Sequence, residues 1–313
     1  MKNILLFIIA TTSFFSCTSA DSPYSPDQPY ALKVADNTNK FHDYWYQGKA
    51  EITSFDLEQA RYGELHQGNA VLIFVTEDFS KSKKVKLDEP SKTPKDAVSV
   101  LKLNATRKFN TGIYPYSMMT SSFTPIDIKK HKHSLKVSTS SQEWCGHTYM
   151  ELEEGKSHFN FEVRSYFESE GNIDSKVEKA FLEDEIWTRL RIDPKSLPTG
   201  TFEMLPGTMF ARLRHIDYQA FSVEAEIVSF KNNKDLMTYQ VRYSGINRTL
   251  DIHFQKDFPY EIEGWEETMT SGFGSGAKTL TTRAKKKKSI MTDYWTKHNN
   301  ADLGLREELG LND

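Results

Sequence analysis

The clearest structural signal in the sequence is an alternating stretch, FNFEVRSYFE, at residues 159–168. Its odd positions carry Phe, Phe, Val, Ser and Phe, whereas its even positions carry Asn, Glu, Arg, Tyr and Glu. A period of two residues indicates a β-strand with one face in the core and the other in water. The same alternation returns at residues 221–227 and 250–254, and the apolar run at residues 71–75 is typical of a strand covered on both faces.

Further strand-like segments extend this pattern through most of the chain. They occur at residues 49–55, 98–105, 134–139, 144–150, 236–243 and 278–283. Short strands at such regular spacing predict a mainly β protein, or β-rich α+β fold, built on an antiparallel curved sheet or half-barrel in two halves.

One segment in the middle of the chain departs from the two-residue period. In residues 175–190 the apolar side chains fall close to helical spacing, and Ser175 followed by Glu178 has the spacing of a helix-capping box. We therefore expect one helix between the two halves. The predicted order is an N-terminal β half at residues 40–170, a helix and linker at 171–198, and a C-terminal β half at 199–313 that ends in a short helix at 301–309.

The composition sets limits on the function. The chain has 313 residues, and its 40 basic and 43 acidic side chains give a net charge of −3. This near-neutral balance argues against a nucleic-acid-binding protein, which needs a basic surface to neutralise phosphates. A mean hydropathy of −0.59 excludes a polytopic membrane protein. Two cysteines exclude a disulfide scaffold and a four-cysteine zinc site.

The N-terminus has the order of an export and lipidation signal. Residues 1–16 contain Lys2 and then an apolar run that is too short to span a bilayer. Ser16 directly before Cys17 resembles the lipobox of bacterial lipoproteins, so cleavage before Cys17 and acylation of that cysteine are expected. The alternative is an ordinary signal peptide that is cleaved elsewhere.

The segment that follows the cysteine is typical of a tether. Residues 17–39 contain three prolines at every third position among polar residues, which favours an extended spacer. Only one acidic residue, Asp21, lies close to Cys17, so the sequence offers no acidic tag for surface display. We expect a lipoprotein of the cell envelope that is anchored in the outer membrane through Cys17 and faces the periplasm.

A glycine-rich stretch, GFGSGAKT at residues 272–279, matches a phosphate-binding loop only in part. Such a loop needs glycine directly before its lysine and a helix after it. Here Ala277 precedes Lys278, and the residues that follow are typical of a strand. The stretch therefore predicts a connection between two strands rather than a nucleotide site.

The most unusual stretch is QEWCGH at residues 142–147. On a strand, Cys145 and His147 would point to the same face, where an imidazole can activate a thiol. His131 and His133 lie one predicted hairpin upstream and would complete a metal-binding cluster. The favoured interpretation is the structural packing of a buried cysteine, with a metal site and a reactive thiol as the alternatives.

Six short segments spread over the chain form a recognisable set. They are YWYQGKAEI at 44–52, RYGE at 61–64, FVTED at 74–78, FNTGIYPY at 109–116, QEWCGH at 142–147 and SGFG at 271–274. Together they resemble a family of uncharacterised lipoproteins from Bacteroidota, over a stretch from about residue 40 to the C-terminus. More loosely, residues 190–205 and the strands after them resemble envelope β-proteins with half-barrel folds.

Members of that family sometimes carry the label septum formation inhibitor Maf. The label does not suit this chain, because the Ser-x-Ser-Pro-Arg-Arg motif of the Maf nucleotide pyrophosphatases does not occur in its sequence. The resemblance implies an envelope location and supplies no catalytic residues.

These signals favour a non-enzymatic protein, because the candidate residues form no coherent catalytic set. We expect it to bind an apolar or lipid-like ligand in a concave β surface, with Trp45, Trp144, Cys145 and His147 as candidate contacts. A scaffold or accessory subunit of an envelope complex is one alternative, marked by a broad exposed apolar patch. A hydrolase or metalloprotein centred on Cys145 and His147 is the other. No cofactor, resident metal or nucleic-acid partner is expected.

Overall fold

A computed structural model describes residues 38–231 and 233–311. The predicted signal peptide at 1–16, Cys17 and nearly all of the predicted tether at 17–39 lie outside the described residues.

In the described residues, fifteen strands and four α-helices follow one another along the chain. The strands are β1 (Ala50–Arg61), β2 (Glu64–Ser80), β3 (Ala97–Thr111), β4 (Tyr114–Pro125), β5 (Lys136–Glu143), β6 (Gly146–Glu154), β7 (His158–Ser165), β8 (Asn172–Glu178), β9 (Phe181–Leu182), β10 (Gly200–Leu205), β11 (Phe221–Ser229), β12 (Leu236–Tyr243), β13 (Arg248–Gln255), β14 (Ile262–Ser271) and β15 (Lys278–Thr292). The helices are α1 (Thr38–Trp45), α2 (Glu183–Ile192), α3 (Thr208–Arg214) and α4 (Gly304–Glu308).

All of these strands lie in one open, curved sheet with the order β8-β7-β6-β5-β4-β3-β2-β1-β15-β14-β13-β12-β11-β10-β9. Neighbouring strands are antiparallel, except for the short parallel pair of β9 and β10. The first and last strands pair in the middle of the sheet, where Ala50 lies opposite Thr292. The mainly β prediction is therefore confirmed, and the two predicted halves are parts of one sheet.

The alternating segments form strands as predicted, because alternate side chains point to opposite faces of the sheet. In β7, Phe159, Phe161 and Val163 are buried, whereas Asn160 is exposed. β1 is instead buried along nearly its whole length. It lies in the centre of the sheet, where α2 covers one face and Leu309, the residue after α4, packs on the other.

The helix predicted at residues 175–190 is wrong in its first half. Residues 172–178 form β8, an edge strand whose side chains are mostly exposed, and α2 begins only at Glu183. Both faces of β8 are exposed to solvent, so its sequence lacks a two-residue hydrophobic period. In addition, Ser175 and Glu178 have the spacing of a helix-capping box although no helix begins there. The short C-terminal helix is confirmed as α4, after a 3₁₀ turn at Asn300–Leu303.

Helices α2 and α3 cover one face of the sheet, which we call the inner face. They contact β3, β4 and β5, and Ile186 and Leu190 of α2 are fully buried in the main core. The sequence patterns did not predict α1, α3, β4, β9, β10 or β14. Among the described residues, none of the helices combines the length and the apolar character needed to cross a membrane.

Candidate functional site

Successive antiparallel strands reverse direction, so their turns collect at two opposite ends of the sheet. The tip end holds the turns that follow β1, β3, β5, β7, β12 and β14, together with the C-terminus of α3. The basal end holds the turns that follow β2, β4, β6, β11 and β13. Helix α1 also lies at the basal end, where the Tyr46 hydroxyl is 2.8 Å from the Ser99 hydroxyl at the start of β3.

Five of the six described hairpins at the tip end expose a large apolar or aromatic side chain. These side chains are Tyr62 (43% exposed), Ile113 (84%), Trp144 (68%), Tyr166 (67%) and Phe273 (58%). Because the sheet is curved, Phe167 and Phe273 of the two outermost of these hairpins line one pocket. The five side chains lie on neighbouring hairpins, two strands or about 9–10 Å apart along the sheet. We call this set the tip row. A group of exposed apolar side chains among polar residues is typical of an interaction surface.

The turn at Tyr62-Gly63 has unusual backbone geometry. Both residues have positive φ, 53° and 80°, which is the pattern of a type I′ hairpin turn. A bulky aromatic residue is rare in this left-handed region. Gly63 also needs to be glycine because an added Cβ would lie 2.9 Å from the carbonyl oxygen of Gly276 in the neighbouring turn. The surrounding structure thus holds Tyr62 in a strained position, a pattern common at functional sites.

A cluster of tyrosines surrounds Arg61 beneath this turn. The Tyr62 hydroxyl lies 2.8 Å from that of Tyr116 and accepts a hydrogen bond from Tyr114 at 3.3 Å. The Arg61 guanidinium lies 4.2 Å from the centre of the Tyr62 ring. Burial opposes ionisation of Tyr62, but these hydrogen bonds and the charge of Arg61 outweigh it and lower its pKa. Burial raises the pKa of Tyr116.

Cys145 lies in the two-residue turn between β5 and β6, and it is an exposed free thiol. The prediction that it packs in the interior is therefore wrong, because a turn residue at the tip end faces solvent. A hydrogen bond to the Glu143 carboxylate raises the pKa of Cys145, which opposes a reactive thiolate. Gly146 lies close to the neighbouring hairpin, because an added Cβ would lie 2.5 Å from the Tyr166 ring.

The predicted metal cluster is not brought together. His147 is exposed on β6 and lines a groove with Ser140 and Arg164, whereas His131 and His133 belong to the basal turn after β4. His133 contacts Glu185 of α2 at 3.3 Å. Within residues 38–231 and 233–311, no group of three or more histidine, cysteine or acidic side chains is placed to hold a metal ion.

The two tryptophans proposed as ligand contacts lie at opposite ends of the sheet. Trp45 is 1% exposed and packs at the basal end, where the Arg191 guanidinium lies 4.9 Å from its ring centre. Trp144 lies in the tip row, and its ring is 6.4 Å from that of Tyr114. No single ligand site contains both.

The inner face is filled by the chain itself. Between α2, α3 and the sheet remains a cavity of about 50 Å³, lined by Trp187, Phe210 and Trp265 among others. Pockets for small-molecule ligands usually measure about 300–1,000 Å³. In this arrangement the inner face has room for water rather than for a lipid.

Three successive acids at the start of α2 hold the helical layer in place. The Tyr243 hydroxyl donates to Glu183 at 2.6 Å, and Arg248 pairs with the same carboxylate. Asp184 accepts two hydrogen bonds of 2.9 Å from Thr208 of α3, and Glu185 accepts one of 2.6 Å from the Ser134 amide. They therefore tie α2 to both halves of the sheet and to α3. Burial raises the pKa of Asp184 to about 7, with the charge of Glu183 adding to it and the Thr208 bonds opposing it.

Sequence reasoning named Trp144 and Cys145 but missed Arg61, Tyr62 and Tyr116 as a site. These residues lie in two of the segments that carried the family resemblance, residues 61–64 and 109–116. The sequence signal for this site is Tyr62 before Gly63 in a two-residue turn between strands. Asn or Asp is the common residue at that position of such a turn.

Comparison of the chain with protein families, with curated proteins and with solved structures gives no match.

Proposed function

We propose that this chain is a non-enzymatic lipoprotein of the cell envelope that binds a lipid-like, apolar surface through its tip row. The observation that carries the proposal is the exposure of Tyr62, Ile113, Trp144, Tyr166 and Phe273 at one end of the sheet. Tyrosine and tryptophan are the residues that concentrate at bilayer interfaces, where their amphipathic rings lie at the level of the headgroups. The N-terminal signal and Cys17 support a location beside a membrane.

The tip row supports the proposal better than the inner face does. The sequence predicted a concave surface open to a ligand, but α2 and α3 cover the inner face and leave about 50 Å³. A ligand there would have to displace helices that are held by several buried hydrogen bonds. The tip row needs no such rearrangement.

Vesicle flotation tests this function. The chain from Thr18 onward keeps every described residue and lacks the acyl acceptor, so its binding to vesicles of phosphatidylethanolamine and phosphatidylglycerol reports on the body. A variant with Ser at Ile113, Trp144, Tyr166 and Phe273 should lose binding. The matched control places Ser at Val85 and Leu303, which are exposed apolar residues outside the tip row, and should bind like the native chain. Equal binding by the tip variant, or no binding by the native chain, contradicts the proposal.

The same row also favours a second candidate, an accessory subunit that contacts an envelope protein. Tyrosine, tryptophan and phenylalanine are enriched in the centres of protein interfaces. A photo-crosslinking residue at Trp144 in the native envelope would then label one protein, and the contact would be lost in the tip variant. This result together with an absence of vesicle binding would favour the second candidate over the first.

A further inference from the structure

Arg61, the last residue of β1, is a buried cation at the tip end. It is 7% exposed, and its guanidinium donates hydrogen bonds to the carbonyl oxygen of Leu213 and to the hydroxyls of Tyr62 (3.2 Å) and Tyr116 (3.4 Å). Its buried Nε has no hydrogen-bond partner among the described residues. No carboxylate of the described residues lies within 4.0 Å of it. A buried charge normally has an opposite charge beside it.

The other buried arginines have that opposite charge. Arg189 pairs with Glu185, Arg191 with Glu51, and Arg248 with Glu183 and Glu267. In each case at least one carboxylate oxygen contacts the guanidinium directly. Arg61 contacts only neutral oxygen atoms and aromatic rings. None of these groups balances its positive charge.

Arg214 adds a second positive charge close to the first. Its guanidinium lies 5.8 Å from the centre of the Phe273 ring and donates to the carbonyl oxygen of Gly272 at 3.4 Å. It also has no carboxylate within 4.0 Å in the part of the chain that the structure describes. Burial and then the charge of Arg61 lower the pKa of Arg214. The two cations therefore repel each other, and a nearby anion would relieve that repulsion.

A pocket of about 190 Å³ opens beside Arg61. It is lined by Tyr62, Tyr116, Leu213 and Phe273 as well as Arg61. Since one water molecule takes about 30 Å³ in the liquid, the pocket equals about six waters, which accommodates the five heavy atoms of a phosphate group. Two of its lining residues, Tyr62 and Phe273, belong to the tip row, so an anion in the pocket would lie directly beneath the apolar side chains.

Two acids lie near the pocket, and neither lies within 4.0 Å of a guanidinium nitrogen of Arg61 or Arg214. Glu143 lines the pocket and accepts a hydrogen bond of 2.7 Å from the Cys145 amide. Glu170 is bonded to Arg212 and His215, both of which line the pocket. Neither carboxylate neutralises Arg61 or Arg214.

We propose that the Arg61 pocket binds the oxyanion of an anionic amphiphile, whose apolar part lies on the tip row. The inference rests on the proposed function and names the headgroup chemistry that the tip end selects. The guanidinium provides the charge, the tyrosine hydroxyls provide neutral donors, and the aromatic side chains accept the apolar part. A phosphate or a carboxylate on an acyl chain has this chemistry.

Calorimetry with two probes tests the proposal on the chain from Thr18 onward. Dodecyl phosphate, below its micelle concentration, represents the amphiphile, and inorganic phosphate represents the free anion. We expect dodecyl phosphate to bind at least tenfold more tightly than inorganic phosphate. Equal affinity for the two probes overturns the proposal, because the site would then serve free phosphate. An absence of dodecyl phosphate binding overturns it as well.

Two variants locate the binding. Arg61→Met should weaken dodecyl phosphate binding at least tenfold, whereas Arg242→Met, an exposed arginine paired with Glu226, should leave it unchanged. Tyr62→Phe removes one hydroxyl and keeps the ring, so it should weaken binding several-fold even if Arg61→Met proves hard to fold. Unchanged binding by both Arg61→Met and Tyr62→Phe overturns the proposal.

Uncharged vesicles distinguish a failure of the arginine site from a failure of the proposed function. Vesicles of digalactosyldiacylglycerol, an uncharged glycolipid with no phosphate or carboxylate, should float the native chain and Arg61→Met equally, because only the apolar tips act on them. Equal flotation combined with unchanged dodecyl phosphate binding by Arg61→Met would overturn the arginine site and leave the proposed function in place. If the native chain floats with neither type of vesicle, the proposed function itself fails.

Discussion

The turns at the two ends of the sheet differ in length and in the residues they contain. At the tip end, three hairpins close with two-residue turns, and their central positions hold Tyr62, Ile113 and Trp144. At the basal end the turns are longer: residues 81–96 contain six lysines, and residues 126–135 contain three lysines and two histidines. Side chains in the middle of a tight turn face water, so folding itself does not call for apolar residues there. The proposed function accounts for these side chains by binding rather than by packing.

The two ends also differ in whether a buried arginine has a carboxylate partner. At the basal end, Arg191 forms an ion pair with Glu51, and both side chains are 1% exposed. At the tip end, Arg61 is almost as deeply buried and has neutral partners only. The basal pair stabilises the fold as it stands, whereas the proposed anion would supply the charge that Arg61 lacks.

The largest expected effect separates the two tryptophans. Trp45→Ala removes a fully buried ring at the basal end, so the free energy of unfolding should fall by about 3–5 kcal/mol. Trp144→Ala removes an exposed ring from a turn and should change it by less than about 0.5 kcal/mol. Urea denaturation followed by circular dichroism measures both. A comparable loss for Trp144→Ala would mean that the tip row is part of the packed structure, and the contrast between the ends would fail.

A second test compares the arginines. Arg191→Met leaves Glu51 buried without its partner and should lower the free energy of unfolding by about 3–5 kcal/mol. Arg61→Met leaves no carboxylate unpaired. The loss of the hydrogen bond to Leu213 destabilises the fold and the removal of a buried charge stabilises it, so the free energy of unfolding should change by no more than about 1 kcal/mol. The same denaturation experiment measures both variants. An equally large loss for Arg61→Met would assign Arg61 a structural role and contradict its availability to a ligand.

A third test addresses the helical layer between the ends. The pKa of Asp184 is raised from 3.8 to about 7. Between these pH values the folded state therefore binds more protons than the unfolded state. The contribution of Asp184 to the free energy of unfolding thus falls as the pH rises from about 4 to 7. Asp184→Asn removes this contribution. Relative to the native chain, the variant should gain on the order of 2–4 kcal/mol between pH 4 and pH 7, with no further gain above. Parallel stability curves for the two proteins would show that Asp184 is ionised throughout.

Local patterns predicted the strands but not their neighbours. The alternation in β7, β11 and β13 is a property of short segments, because one buried face is enough to produce it. The pairing of Glu51 with Met291 joins residues about 240 positions apart, and no local pattern encodes it. The same limit explains the missed site. Arg61, Tyr116 and Phe273 meet only because three separate hairpins end at the same edge, whereas the neighbours Cys145 and His147 line separate pockets.

The pairing of β1 with β15 also sets the order in which the molecule can be completed. β1 gains its second neighbour only after about 240 further residues have been made, which takes roughly 12–50 s at ordinary rates of synthesis. Until then its unpaired edge offers backbone donors and acceptors to any other chain. Contacts of such long sequence separation also slow folding, because the loop entropy is lost before the contact forms. In a chain of this topology the edge of β1 therefore stays open until the last strand has been synthesised.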